Sequence, residues 1–235
     1  MKLIKYLSFA VTGLLLSAMS FAQTADEIVT KHINAIGGID NWKKVNSMRQ
    51  EATLSVQGMD IPVVISAVHN KATKQEYTVM GMTGYSIITA EGGWNFNPMQ
   101  GKTKPEPITQ DELKYGKDQL DLQGDFVDYK AKGSVIESLG KDEEDGNEYF
   151  KIKLTTKNGN EKTYFFDTKT NLIYKVESIV KQQGQEMKSE QKLLDYQTIE
   201  YGIKFPFKQD QGQMMMVTKK ITINPSIDAT IFNGN

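Results

Sequence analysis

The chain has 235 residues, a formal net charge of −1, a single arginine among 28 basic residues, two histidines and no cysteine. Nucleic-acid-binding proteins present a basic surface, so this balance argues against nucleic acid as a partner. Without cysteine the chain forms no disulfide, performs no thiol chemistry and carries no acylated amino-terminal cysteine. With Arg49 as the lone arginine, bidentate phosphate or carboxylate clamps are not expected.

Residues 1–22 carry the pattern of a secretory signal peptide. Two lysines precede an apolar stretch, Leu7–Met19, which is shorter than the ~20 residues of a membrane span and is interrupted by polar residues. Ser20 and Ala22 offer the small side chains that a signal peptidase requires. We therefore expect cleavage before Gln23, which removes two lysines and changes the formal charge to −3.

The next predicted element is a helix over residues 24–36. Thr24 and Glu27 have the spacing of a capping box, apolar residues recur at helical spacing, and two glycines end the run. A further helical turn is predicted around Asp40 to Val45.

From Ser47 onward the apolar residues recur with a period of about two, which predicts strands. The predicted strands cover residues 47–56, 61–68, 73–80, 85–90, 94–97, 149–156, 161–166, 172–180, 185–196, 203–208 and 214–223. Asn158 and Gly159 give the strongest hairpin signal. Because helices do not alternate with these strands, the pattern predicts a mainly β (α+β) protein. We expect one antiparallel sheet, curled around a helical element in a single domain over residues 23–235.

One predicted helix, residues 109–122, interrupts the strand series. It begins with a capping box at Thr109 and follows a loop with two prolines. Its apolar stripe, with Leu113 and Leu120, is thin, and Gly116 in its middle costs ~1 kcal/mol relative to alanine. A weakly held helix suits a lid that opens, and a fixed plug is the alternative.

The sequence offers little from which to build a catalytic site. His32 falls on the apolar stripe of the first helix, His69 falls in a predicted hairpin turn, and no nucleophile elbow or phosphate-binding loop is present. The acidic run Asp142–Asn147 lacks the alternating ligands of a calcium loop and is predicted to be a solvated turn. We expect no catalytic residue, metal or cofactor, and a hydrolase is the least favoured function.

Apolar residues also occupy three places where loops or strand edges are expected, at residues 80–85, 94–99 and 214–217. Consecutive methionines put flexible side chains on both faces of a strand. Such a strand either belongs to the core or lines a groove that can re-pack around varied ligands. For the groove, the predicted lining residues are Trp94, Phe96, Met215, Tyr85, Met82, Leu113 and Leu120. The period of two does not reveal which face points inward.

The segment from Glu91 to Pro98 is similar to the acidic/Gly, Trp, aromatic, Asn-Pro stretch of the LolA-like outer-membrane lipoprotein carriers. Further segments follow the strand order of that group: Tyr149–Leu154, Phe165–Asp167 and Leu172–Val176. Asp195–Tyr196 and Gly202–Pro206 resemble the carboxy-terminal part of lipoprotein-sorting envelope proteins. The likeness covers most of the mature chain.

This resemblance implies a half-open antiparallel barrel in the periplasm, with a concave face closed by helices, that binds acyl chains of lipids or lipoproteins without catalysis. It also implies an inner-membrane release complex and an outer-membrane acceptor as partners, and we expect a monomer. The carriers have an arginine near the end of an early strand, whereas the corresponding stretch here, residues 70–74, has only lysine. Lipid binding is therefore better implied than energy-coupled handover. The alternative is an envelope sensor or assembly module that holds a protein partner with the same half-barrel.

Overall fold

The computed structural model describes residues 23–182 and 185–234, so the expected signal peptide lies outside the described residues. The helices are α1 Ala25–Ala35, α2 Ile39–Trp42 and α3 Gln110–Gly116, the last continued by a 3₁₀ turn, Lys117–Leu120. The strands are β1 Ser47–Val56, β2 Met59–Val68, β3 Ala72–Val79, β4 Met82–Thr89, β5 Gly93–Phe96, β6 Glu106–Pro107, β7 Val135–Glu144, β8 Asn147–Thr155, β9 Glu161–Asp167, β10 Ile173–Gln182, β11 Gln185–Thr198, β12 Lys204–Asp210 and β13 Met214–Ile223. Every predicted strand is present, with ends that agree to within three residues.

All the strands form one sheet, in the order β6-β5-β4-β3-β2-β1-β13-β12-β11-β10-β9-β8-β7. Every neighbouring pair is antiparallel, and the only long step between neighbours joins the first strand to the last. The outermost strands, β6 and β7, are not paired with each other, so the sheet does not close. The structure thus confirms a mainly β fold with one curved antiparallel sheet, an N-terminal helix and a short helix, α3, over its inner face, in the form of a half-open barrel.

The structure adds two strands, β6 and β7, that the sequence pattern does not predict. β7 lies at the edge of the sheet with β8 as its single partner and is exposed along most of its length, so its sequence does not alternate. The predicted turn over Asp142–Asn147 is wrong in extent, because β7 continues to Glu144 and only Asp145 and Gly146 form the turn.

Glu144 at the end of β7 serves the sheet. Its carboxylate lies 2.7 Å from the ammonium of Lys192 and 2.9 Å from that of Lys175. The hydrogen bond from Lys192, with a smaller contribution from that of Lys175, lowers the pKa of Glu144 to about 2. This part of the acidic run therefore links the end of β7 to β10 and β11, which are not its neighbours in the sheet. No group of three or more potential metal ligands occurs within the described residues.

The helices cover one face of the sheet, which we call the inner face, and leave the outer face to the carboxy-terminal segment, residues 224–234, which we call the tail. The capping box of α1 forms as predicted, with the Glu27 amide donating to Thr24 Oγ1 over 3.2 Å. The buried stripe of α1 meets inner-face residues of β8, β9 and β10 in one core cluster. In a second cluster, Trp42 of α2 is grouped with Ile221 and Ile223, which lie on the inner face at the carboxy-terminal end of β13. Val127, in the segment after α3, belongs to the same cluster.

His32 belongs to the first cluster as a packing residue. It is 4% exposed, its ring lies edge-on to Phe166 and Phe126, and its Nδ1 is 2.9 Å from the carbonyl oxygen of Asn171. Burial lowers the pKa of His32 to about 4 and so keeps the ring neutral at physiological pH.

We expect mild acid to destabilise the protein through His32. The imidazole takes up a proton near pH 6.5 in the unfolded chain but only near pH 4 in the folded chain. The contribution of neutral His32 to the free energy of unfolding is therefore fully present above pH 6.5 and is lost as the pH falls from 6.5 to 4. The loss should approach about 3 kcal/mol, which urea unfolding at a series of pH values measures. His32→Gln should remove most of this slope, with a remainder from His69, whose pKa is also lowered by burial. An unchanged slope in the variant would contradict this account.

Candidate functional site

A cleft of about 620 Å³ lies between the inner face and the segment Gln110–Leu120, which we call the roof. On the sheet side of the cleft, the apolar lining residues are Leu54, Ile65, Val176, Ile179, Met214 and Met216. The same side also presents the amide side chains of Gln75, Gln191, Gln209 and Gln211. The remaining lining residues are Tyr115, Asp118, Gln119, Asp125, Asn160, Glu161, Lys162, Tyr164 and Ser178. The cleft therefore has an apolar floor and a polar end.

Strand register explains why these side chains meet. Leu54 of β1 is paired with Met216 of β13, and Gln75 of β3 is paired with Ile65 of β2. Directly opposite residues point to the same face, so each pair places two side chains in the cleft. Gln209 of β12 in turn is paired with Met216.

The roof is held against the sheet by its buried side. Leu113 and Leu120 are 5% and 4% exposed, and the amide of Asn70 donates to the Leu120 carbonyl over 2.7 Å. Gly116 lies against Ile88, where a Cβ would stand 2.7 Å from the Ile88 Cδ1 atom. The mid-helix glycine thus permits close approach, and Leu113 and Leu120 anchor the roof without being among the residues that line the cleft.

The three aromatic residues of the predicted groove lie on the outer face. Trp94 is paired with Ile87, and Phe96 with Tyr85, whose ring centroid is 5.5 Å away. Trp94, Tyr85 and Ile87 form a third cluster with tail residues that include Phe232. A Cβ on Gly234 of the tail would lie 2.4 Å from the Trp94 ring, so the tail passes directly over this indole. These aromatic residues therefore hold the tail against the sheet and do not line the cleft.

The two predicted methionines are also separated. Met215 alternates with Met214 and Met216, which line the cleft, so its side chain points to the outer face. Met82 begins β4 at the β3–β4 hairpin, is 41% exposed and does not line the cleft. The structure thus does not bring the seven predicted residues together, and binding of lipid by any of them stays a prediction.

Sequence reasoning missed the glutamines of the cleft. Gln191 Nε2 donates to Gln209 Oε1 over 2.8 Å across two neighbouring strands. Gln75 and Gln211 lie on the same face, and Gln119 faces them from the roof. The available signal was polar residues at strand positions whose cross-strand partners are apolar, as in the Ile65–Gln75 pair. That signal can only be seen once the register is known.

The polar end of the cleft contains two groups of hydrogen-bonded side chains, one around Asp125 and one around Asp118. Lys162 Nζ lies 2.7 Å from Asp125 Oδ2, to which the Tyr164 hydroxyl also donates. Burial, followed by the charge of Asp125, raises the pKa of Tyr164 well above its usual range, so the phenol stays protonated. Asn160 donates to Asp118 Oδ2 over 2.7 Å. Packing therefore fixes these groups before any ligand arrives.

Exposed methionines lie at the end of the sheet where Gln211 and Met214 line the cleft. Met59, Met80, Met82 and Met214 stand at three hairpin turns that the register places at this end, and Met80 is 87% exposed. Met187 of β11, which is paired with Val180 of β10, is also exposed. Unbranched, polarizable side chains of this kind adapt to partners of varied shape.

A second depression, of about 810 Å³, lies beside α1 and the β7–β8 edge. It is open to solvent and lined mainly by polar residues such as Lys31, Asn34 and Lys141. It lacks the roof and the apolar floor of the cleft, which we therefore take as the candidate site. No helix within the described residues has both the length and the apolar character that crossing a membrane requires.

No protein-family model and no curated protein matches the sequence. Solved structures do match the fold. A LolA superfamily protein from Nitrosomonas europaea superposes with a TM-score of 0.58 at 11% identity, over 90% of this chain and 98% of that one. A domain assigned to an outer membrane lipoprotein-sorting protein of Vibrio parahaemolyticus gives 0.54 at 11% identity, over 88% and 95% of the two chains. A DUF1329 family protein from Desulfovibrio piger gives 0.56 at 10% identity, over 90% and 98%.

Agreement of this extent at such low identity concerns the path of the backbone and not the side chains. Both comparison proteins with LolA or lipoprotein-sorting names match nearly their whole length. The one open sheet with helices on its inner face is thus the LolA-like fold.

Proposed function

We propose that this chain is a bacterial envelope protein that binds acyl chains of lipids or lipoproteins in the cleft and carries them toward the outer membrane without catalysis. The observation that carries the proposal is the roofed cleft with an apolar floor of Leu54, Ile65, Val176 and Met216. Its volume of about 620 Å³ falls within the ~300–1,000 Å³ typical of ligand sites.

Burial of an acyl chain supplies enough free energy for tight binding. About 16 methylenes at ~0.8 kcal/mol each correspond to roughly 12 kcal/mol, from which the costs of association are subtracted. The apolar floor would cover only part of such a chain, and the exposed methionines at the Met214 end of the cleft, including Met80, would cover more. A site of this kind requires no catalytic side chain.

The two histidines support a role without catalysis. His32 is buried in the core away from the cleft. His69 Nδ1 accepts a hydrogen bond from the Leu122 amide over 3.2 Å and lies 3.6 Å from the Asp121 carboxylate, so it fixes the segment after the roof. Each histidine has a structural task that explains its presence.

We further propose export to the periplasm through the signal peptide of residues 1–22, with an inner-membrane release complex and an outer-membrane acceptor as partners. The fold of proteins named for lipoprotein sorting supports this location. Arg49 lies on the outer face, 3.4 Å from Ser66 Oγ and 3.6 Å from Glu51, so it has no contact with the roof. Handover would therefore need a different contact from the arginine of the resembling carriers.

A second candidate function is a sensor or assembly module that holds an extended protein segment in the cleft. The observation in its favour is the group of glutamines, including Gln75, Gln191 and Gln209, whose amides can pair with a peptide backbone. An acyl chain makes no use of these groups along its length.

Native mass spectrometry of protein taken from its own envelope distinguishes the two candidates. A carrier should co-purify with acyl species, and after delipidation it should bind a fluorescent fatty acid that unlabelled fatty acids displace. A mass equal to that of the protein alone, together with no binding of the fluorescent fatty acid, would refute the carrier proposal and favour the module.

A further inference from the structure

The polar end of the cleft contains an acceptor that the protein leaves without a donor. Asn160 is 4% exposed, lines the cleft, and its Oδ1 has no hydrogen-bond partner. Within the described part of the chain it is the only buried side-chain oxygen or nitrogen in that condition. An unpaired buried acceptor costs ~1–3 kcal/mol, so its retention at a cleft wall points to a ligand that donates to it.

The orientation of the Asn160 amide is set by its surroundings. Its Nδ2 donates to Asp118 Oδ2 over 2.7 Å and to the carbonyl oxygen of Lys114 over 3.3 Å. Both partners are acceptors only, so a flipped amide would face two oxygens with an oxygen. Oδ1 is therefore the atom that lacks a partner.

The side chains that line the cleft around Asn160 are mainly acidic and accept hydrogen bonds. Asp118 receives hydrogen bonds from the side-chain amides of Asn158 and Asn160 and, among the described residues, forms no ion pair. Lys162 is the one cation among the cleft residues and is paired with Asp125. Glu161 adds a further carboxylate to the lining. Three carboxylates against one ammonium leave this end with a formal charge of −2.

We propose that this end of the cleft binds the head group of an amphiphile that donates hydrogen bonds, a primary amine above all, in preference to phosphate and carboxylate heads. The head group would lie beside Asp118 and donate to Asn160 Oδ1 once the cleft wall moves enough to uncover that atom, which is closed to solvent in this structure, while the chain would extend over Val176 and Met216. A phosphate would instead bring acceptor oxygens and negative charge against these two residues. The inference rests on the proposed binding of acyl chains and adds the class of head group.

The test uses amphiphiles with one saturated tail of equal length and different heads: dodecylamine, glycerol monolaurate, lauric acid and dodecyl phosphate. Each displaces a fluorescent fatty acid from the delipidated protein below its micelle concentration. A hydrogen bond to a charged group contributes about 1.5–3 kcal/mol, so we expect dodecylamine to act at roughly tenfold to hundredfold lower concentration than dodecyl phosphate. Glycerol monolaurate should fall between them.

Asp118→Asn tests the site itself. It removes one charge and one of the two acceptor oxygens that Asn158 and Asn160 use, so the preference for the amine should fall about tenfold. Asp111→Asn is the matched control, because Asp111 is exposed in the first turn of α3, in the same roof as Asp118, and does not line the cleft. It changes the net charge equally and should leave the preference intact.

The outcomes separate the inference from the proposal on which it rests. Equal displacement by amine and phosphate, or a preference for phosphate, would overturn the inference while leaving acyl binding in place. An equal loss of preference in Asp111→Asn would also overturn it, since general attraction to the protein would then explain the result. If the protein binds neither the fluorescent fatty acid nor any of the four amphiphiles, the proposed function itself fails.

Discussion

Met216→Asp is expected to weaken acyl binding by at least about 100-fold, whereas Met215→Asp, one residue earlier on the same strand, should bind normally. Met216 lines the floor of the cleft between Leu54 and Gln209, so an aspartate there places a carboxylate against the bound chain. Leaving that charge without water or a partner costs several kcal/mol, of which ~3 kcal/mol would already give the stated loss.

Displacement of a fluorescent fatty acid measures the effect, and far-UV circular dichroism with thermal unfolding verifies the fold of both variants. Met215 points to the outer face and is paired with Asp210 of β12. Met215→Asp should therefore lose about 0.5 kcal/mol of stability through repulsion between like charges. Its affinity for acyl chains should not change. If Met215→Asp rather than Met216→Asp abolished binding, the ligand would lie on the outer face and the cleft would not be the site.

Trp94→Asp is expected to lower the free energy of unfolding by about 3 kcal/mol or more while the folded protein still binds acyl chains. Trp94 is paired with the fully buried Ile87 and lies under the tail at Gly234. An aspartate there would remove the indole from the third cluster and place a charge beneath Ile231 and Phe232.

Urea unfolding measures the loss of stability, and Met99→Asp provides the control because Met99 is 46% exposed shortly after β5. The control should change stability by less than about 0.5 kcal/mol, as is usual for surface substitutions. If the Trp94→Asp protein had normal stability but no longer bound acyl chains, Trp94 would belong to the binding site and the prediction would be wrong. That outcome would support the groove that the sequence pattern favours.

Local sequence signals predicted most of the fold. The capping boxes at Thr24 and Thr109 form as expected, because a capping box depends on residues only three positions apart. The strands between Ser47 and Ile223 follow from the alternation of apolar side chains, and Asn158-Gly159 falls in a hairpin turn. The edge strand β7 escaped prediction because it has no buried face to impose an alternating pattern.

The candidate site could not be predicted in the same way. Alternation states that Met214 and Met216 share a face and that Met215 has the other, but it is symmetric with respect to the two faces. The face that the roof covers forms the cleft, and the face that the tail covers packs against the tail in the third cluster. Both segments are distant in sequence from the strands that they cover.

The sequence by itself thus determined every strand except β6 and β7, the order of those strands along the chain, the helix caps and the absence of thiol chemistry, because each of these depends on residue type or on neighbours a few positions apart. Only the tertiary structure decided that Trp94 packs beneath the tail while Met216 opens onto the cleft. It also brought Asn160 within 2.7 Å of Asp118, across a separation of 42 residues. Contacts of that range form when the roof and the tail pack on opposite faces of one sheet, and no local pattern encodes which segment takes which face.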